Sequence, residues 1–314
     1  MMHMTVQAYA KINLFLDITG RRVDGYHTIA GVMQAVSLAD RVSVTVDEPI
    51  RDTVAEAGAV TPQITLYCSD PTLPTDGKNL AVRAAEAFFA AAGCGCERLA
   101  IDLEKHIPAA AGLAGGSADA AAVLTALNTL FDRPLDDGEL ARVGLSLGAD
   151  VPFCLVGGAC LTEGVGETLT RLPSLPDCDI VIAIGGAGVS TPSAYRALDQ
   201  RYGGFAAGAY CPRKEELDAL VLALQEGSSE GVAARAFNLF ELVVLPIHPE
   251  ATRIRACLEA HGAATAMMSG SGPSVFGLFP KGSADAEKAV GALRDEGFRA
   301  EVCHPVESIE FCKR

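Results

Sequence analysis

No apolar run in the chain approaches the ~20 residues that a membrane-spanning helix needs. The longest candidate, Val181 to Val189, is short and glycine-laced and reads as a buried strand. The opening residues Met1-Met2-His3-Met4 lack a basic stretch followed by an apolar one, so no signal peptide is expected. Positive charge is also scarce: 25 Lys and Arg against 39 Asp and Glu, a net −14. That balance argues against a nucleic-acid scaffold or a binder of anionic membranes, both of which favour basic surfaces. It leaves room for a phosphate ligand at a locally positive site. The ten cysteines include no C-x-x-C pair, and the six histidines include no H-E-x-x-H. Zinc-site spacing is therefore missing. A chain of 314 residues needs no disulfide staples. Reduced thiols in a cytoplasmic protein are the expectation.

The length suggests two domains at ~150 residues each, and 49% hydrophobic residues suffice for their cores. From Thr5 to Ile18, apolar residues alternate with polar ones, the period of a half-buried strand. A second strand follows Asp24-Gly25, and Arg41–Val46 reads as a third. Leu80–Ala92 is helical and closed by Gly93; Leu99–Leu103 is a short strand. Ser117–Leu130 is a helix with Ser117 at its N-cap, and Glu139–Leu147 is another. The second half reads as a strand at Ile180–Ile184 and helices at Ser193–Gln200, Lys214–Gln225, Val232–Leu242 and Glu250–Ala260. Strands at Ala264–Met268 and Val275–Phe279 flank a Gly/Ser turn, and a helix Ala284–Glu296 precedes a last strand, Phe298–Val302. The pattern is α+β with two lobes, 1–165 and 166–314.

Between a strand and an alanine-rich helix lies P-A-A-A-G-L-A-G-G-S-A-D, Pro108 to Asp119. Gly112, Gly115 and Gly116 let backbone N–H groups turn toward a ligand without obstruction by Cβ atoms. The following helix offers unpaired N–H groups and the positive end of its dipole. This is an anion cradle suited to phosphates, or else a tight turn. It lacks the lysine of a P-loop and the G-x-G-x-x-G of a dinucleotide fold. Lys11 and Asn13 share one strand face; they either address one ligand or line an exposed surface. Tyr26 and His27, after the Asp24-Gly25 turn, can stack on a planar base and read its edge, or simply flank a hairpin. Asp150, in G-A-D-V-P between a helix and an expected strand, is either a helix-end residue or a general base. Pro152 should hold Val151 extended. The Ser269–Ser274 loop either connects two strands or covers a ligand with its N–H groups.

The order of these segments is more specific than any one of them. A-K-I-N-L-F-L, R-x-D-G-Y-H, P-x-x-x-G-L-A-G-G-S-A-D, G-A-D-V-P, G-V-S-T-P and S-G-S-G-P-S-V-F-G together resemble the GHMP kinase superfamily. Within it they resemble the branch acting on a cytidine diphosphate-linked methylerythritol in non-mevalonate isoprenoid precursor synthesis. D-G-Y-H after K-I-N-L marks that branch, and the resemblance runs from about residue 5 to 305. It implies an N-terminal lobe like ribosomal protein S5 domain 2, a ferredoxin-like C-terminal lobe, and ATP with Mg²⁺ in a site between them. It implies catalytic roles for Lys11 and Asp150, and substrate contacts by Asn13, Tyr26, His27, Asp150, Thr191, Gly270, Ser271 and Gly272. ATP falls to Asn79, Leu80, Lys105 and the loop Pro108, Ala109, Ala110, Ala111, Gly112, Leu113, Ala114, Gly115, Gly116 and Ser117, with Ala118 and Asp119 inside the helix. Ser117 is the implied magnesium contact. Ala110 and Ala114 depart from the family by replacing glycines, so they should hold negative φ or reshape the loop. The partner is a small molecule, with no nucleic acid or membrane. A homoserine, mevalonate or sugar kinase of the same superfamily should lack the D-G-Y-H base reader. A non-catalytic nucleotide-binding protein should lack the Lys11–Asp150 pair.

Overall fold

The computed structural model describes residues 1–47, 49–50, 62–206, 208–307 and 311–312. Two long strands, Met2–Arg21 and His27–Val46, form an antiparallel hairpin that is the spine of the larger sheet. The second is one continuous strand, so Arg41–Val46 is its end and not a separate element. The continuity was hidden because the pairing slips between Tyr9↔Ala39 and Ala10↔Val36, which interrupts the alternation. Arg98–Glu104 pairs with the far end of His27–Val46, and Gln63–Cys68 runs parallel beside it. Ala159–Glu163 pairs with the near end of His27–Val46, and Thr168–Leu172 follows it in the same sheet.

The first strand is buried on both faces at its centre. Ala10, Ile12 and Leu14 are fully buried, but so, nearly, are Lys11 and Asn13, each 3% exposed. The half-buried expectation fails there because the second lobe covers the polar face: Gly270 N–H donates to Asn13 Oδ1. On the other face the helix Gly115–Leu130 packs on the two long strands, and Leu80–Ala92 packs against that helix, with alanines 81, 84, 85, 118, 120, 121 and 122 buried. Small side chains let Gly115–Leu130 lie close to the sheet and the two helices close to each other.

The smaller sheet has four strands in the order Thr265–Met268, Val275–Pro280, Cys178–Ile184, Arg299–Cys303, all antiparallel. Helices Pro249–Ala260 and Ala284–Asp295 pack on it through Ala251, Ile254, Leu258, Ala286, Ala289 and Leu293. This is the ferredoxin-like β-α-β-β-α-β arrangement.

Some helix ends follow local chemistry. Asn79 caps Leu80–Ala92 by accepting from Ala81 N, and Gly93 closes it at φ 61°. Asp136 and Glu139 form a capping box on Asp137–Leu147. Val151 opens a short helix, Val151–Val156, instead of being extended; Pro152 is tolerated because first-turn N–H groups need no helical partner. The expected helix Val232–Leu242 is broken into Ser229–Ala233, a two-residue strand Phe237–Asn238 and Glu241–Val244. Phe237–Asn238 lies parallel to Phe15–Leu16 at the edge of the larger sheet.

Candidate active site

The glycine-rich loop is held to the first strand and to the late loop, Ser269–Ser274, by two backbone hydrogen bonds and one from a side chain. Lys11 N–H donates to Leu113 O, Ser274 N–H to Ala111 O, and Ser269 Oγ to Gly112 O. Gly112 has φ +79°, and a Cβ there would sit 2.2 Å from Ser269 O. The early and late loops thus touch through a glycine that only glycine can be. Asn238 holds the late loop from beneath, its Nδ2 donating to Met268 O and Gly270 O. That duty explains why the chain leaves helical geometry at Phe237–Asn238.

Ala110 and Ala114 lie at φ 51° and 60°. Both take the left-handed geometry that favours glycine; of the two expectations, negative φ or a reshaped loop, negative φ fails. Ala114 is the residue before the helix Gly115–Leu130. Ser117 is consequently the third helical residue, not the cap; a backbone already turned left-handed at Ala114 starts the helix earlier.

The loops enclose a cavity of about 930 Å³. It is lined by Lys11, Asn13, Tyr26, His27, Asn79, Leu80, Lys105, Pro108–Gly112, Ala114–Ser117, Asp119, Asp150, Thr191 and Gly270–Gly272. Of the residues singled out in the sequence, Leu113 and Ala118 lie off it: both are in the core, 1% and 2% exposed. Lys11 donates from Nζ to Asn13 Oδ1 at 2.6 Å and to Gly112 O at 3.0 Å. Burial pulls its pKa below the ordinary lysine value, and Asp150 and Cys154 oppose that pull. Asp150 precedes the helix Val151–Val156 without capping it. Its carboxylate, after burial itself, helps push Tyr195 up to about 12.

Lys105 is committed to two carboxylates. Its Nζ bonds Asp40 Oδ2 and lies 2.6 Å from Asp119 Oδ2. Burial drags its pKa down, but Asp119 and Asp40 more than offset this and hold it above the ordinary value. Burial raises Asp119, against the pull of Lys105 and with added repulsion from Asp40. Asp40 is also anchored by the backbone N–H groups of His106 and Ile107. The second oxygen of Asp119, Oδ1, is buried without a hydrogen-bond partner among the described residues.

Also along the cavity, Arg22 N–H donates to Tyr26 O across the hairpin turn, and Tyr26 stands 66% exposed. Thr191, Tyr195 and Asp199 recur at a spacing of four along the helix Thr191–Arg201 and all line the cavity. Thr191 Oγ1 meets Ser271 Oγ at 2.8 Å, tying this helix to the late loop. Sequence reasoning found only Thr191; the spacing of four was the available signal for Tyr195 and Asp199. It also missed Asp40 and Asn238, which no local motif marks.

Comparison with known proteins accords with this geometry. Residues 79–158 match the GHMP kinases N-terminal domain, and residues 220–298 the GHMP kinases C-terminal domain. A 4-diphosphocytidyl-2-C-methyl-D-erythritol kinase of Caldicellulosiruptor saccharolyticus is 40% identical over 93% of this chain and 93% of its own. A crystal structure of 4-(cytidine 5'-diphospho)-2C-methyl-D-erythritol kinase superposes with TM-score 0.72 at 35% identity, covering 96% of this chain and 98% of that one. The homoserine kinase of Cytophaga hutchinsonii has TM-score 0.73 at 19% identity, covering 99% and 97% of the two chains. At that identity it speaks for the shared fold alone. The chain belongs to the GHMP kinases and, within them, to the 4-diphosphocytidyl-2-C-methyl-D-erythritol kinase family.

Proposed function

We propose that the protein transfers the γ-phosphoryl group of ATP to the 2-hydroxyl of 4-diphosphocytidyl-2-C-methyl-D-erythritol, in the cytoplasm. The carrying observation is one cavity lined by a glycine-rich helix N-terminus, an aromatic–imidazole pair, and Lys11 with Asp150. Phosphoryl transfer asks a protein for positioning and charge stabilisation more than for covalent chemistry. N–H groups of Gly115, Gly116 and Ser117 open the helix and suit the phosphates of ATP. Asp150, free of any capping bond, accepts the proton of the substrate hydroxyl. Lys11, oriented by Asn13 and Gly112 O, lowers that hydroxyl's pKa and offsets charge on the transferred group.

The residues present fit a magnesium ion. Asp119 Oδ1 is an unpartnered buried carboxylate oxygen, and both Asp119 and Ser117 line the cavity. Hard cations take oxygen ligands of this kind. These two residues would hold the ion, which when bound neutralises phosphate charge. Asn79 spends its side chain on Ala81 N and Pro74 O, so it shapes the nucleotide end through the helix it caps.

Turnover with ATP over a panel of alcohols tests the reading. The cytidine diphosphate substrate should yield ADP and a new phosphomonoester by ³¹P NMR, while mevalonate, homoserine and galactose give none. Comparable turnover of any of those three would overturn the substrate assignment and leave the kinase reading intact.

A further inference from the structure

The substrate end of the cavity holds an arrangement that phosphoryl transfer does not use. Asp199 Oδ1 lies 2.7 Å from His27 Nε2, and Arg21 Nη1 lies 3.5 Å from the other oxygen, Oδ2. The imidazole is stacked on Tyr195 with centroids 4.6 Å apart and planes 18° apart. Phe205 meets it edge-on at 5.6 Å. The His27 side chain is 7% exposed and that of Asp199 19%. The ring comes from the first lobe, and every group that fixes its plane and rotation comes from the second.

The bond also fixes where the ring's proton sits. A carboxylate has none to give, so Nε2 is the donor to Asp199. In the neutral imidazole the other nitrogen then keeps a lone pair. Among the described residues no group bonds Nδ1, and it is not buried without a partner. His27 lines the cavity, so that lone pair is available to a ligand.

We propose that Asp199 is a positioning residue that sets base specificity: it locks His27 with its proton on Nε2, so that Nδ1 accepts from the 4-amino group of cytosine. The inference rests on the cytidine diphosphate reading above. Cytosine carries an amino donor at C4, whereas uracil carries a carbonyl acceptor there. Nδ1 pairs with the donor and opposes the acceptor. A site whose buried polar group is left unpaired discriminates more strongly than one that only measures shape. Asn in place of Asp199 keeps the shape but brings an amide that can donate to Nε2. The ring can then carry its proton on Nδ1, the wrong nitrogen for cytosine.

The test compares wild type with Asp199→Asn and Asp199→Ala in two measurements. Histidine ¹⁵N NMR reports the tautomer of His27 directly. Separately, kcat/KM is measured for the cytidine substrate and for its uridine counterpart. The wild type should show Nε2–H and prefer cytidine at least about tenfold, the scale of one buried hydrogen bond. Both variants should cut the cytidine-to-uridine ratio about tenfold, through KM for that substrate, while KM for ATP and the melting temperature hold. A merely structural role would move the melting temperature and leave the ratio alone. Wild-type His27 carrying its proton on Nδ1, or an unchanged ratio in both variants, would overturn the proposal. Equal turnover of both bases by wild type overturns it too, with the kinase reading left standing. No turnover of either base is failure of the cytidine reading itself, and the proposal falls with it.

Discussion

Ala114 sits at φ 60° immediately before the phosphate-loop helix, where a side chain costs about 1–2 kcal/mol relative to a right-handed conformation. Glycine removes that cost but adds about 0.5–1 kcal/mol of unfolded-state entropy. Ala114→Gly is therefore expected to raise the melting temperature by about one to three degrees and leave kcat within about twofold. Differential scanning calorimetry beside a turnover assay checks this; a clear fall in melting temperature would show that the alanine is unstrained. The glycine-rich pattern itself was legible in the sequence, because Gly112, Gly115 and Gly116 cluster at the start of an alanine-rich helix. The backbone angles of Ala110 and Ala114 were not. An alanine disfavours positive φ locally, and only the closure of this loop on Ser269–Gly272 overrides that preference. Asp199 was equally hard to read, since its partner His27 lies 172 residues away.

The strand Arg98–Glu104 and the helix Gly115–Leu130 are joined through Lys105, whose ammonium lies between Asp40 and Asp119. All three side chains are at most 6% exposed. Removing the cation leaves two buried carboxylates facing each other, the costly way to break a buried ion pair. Lys105→Met should cost about 3–5 kcal/mol in urea unfolding. A loss below about 1 kcal/mol would mean that water already screens the cluster. Elements with complete local signals were readable to within a residue or two: Leu80–Ala92 has Asn79 and Gly93 at its ends, and Lys214–Gln225 its own period. The segment Val232–Leu242 misled because its apolar spacing suits a helix. Asn238 is instead pulled out to bind two carbonyls of the late loop, a long-range demand that no local window contains.

At the scale of the molecule, the two lobes meet over the polar face of the first strand, and the residues proposed to react lie where they meet. Lys11 and Asn13 are covered by the Ser269–Gly272 loop of the second lobe, and Asp150 lies along the same cavity. The ordered motifs announced the two-lobed architecture before any contact was seen. The partnership across the lobes, Thr191 with Ser271 and His27 with Asp199, came only from the tertiary structure.

The most direct test of this account is kcat of Asp150→Asn with ATP and the cytidine diphosphate substrate, taken with a melting curve on the same preparation. Asparagine keeps the size of the side chain and removes the proton acceptor. General-base assistance is worth about 10²–10⁴-fold. The account predicts a loss of kcat in that range, with KM for both substrates changed less than about tenfold and the melting temperature held, since Asp150 caps nothing. Near wild-type kcat in a well-folded Asp150→Asn enzyme would contradict it, and would leave Lys11 and the phosphate loop to account for the rate.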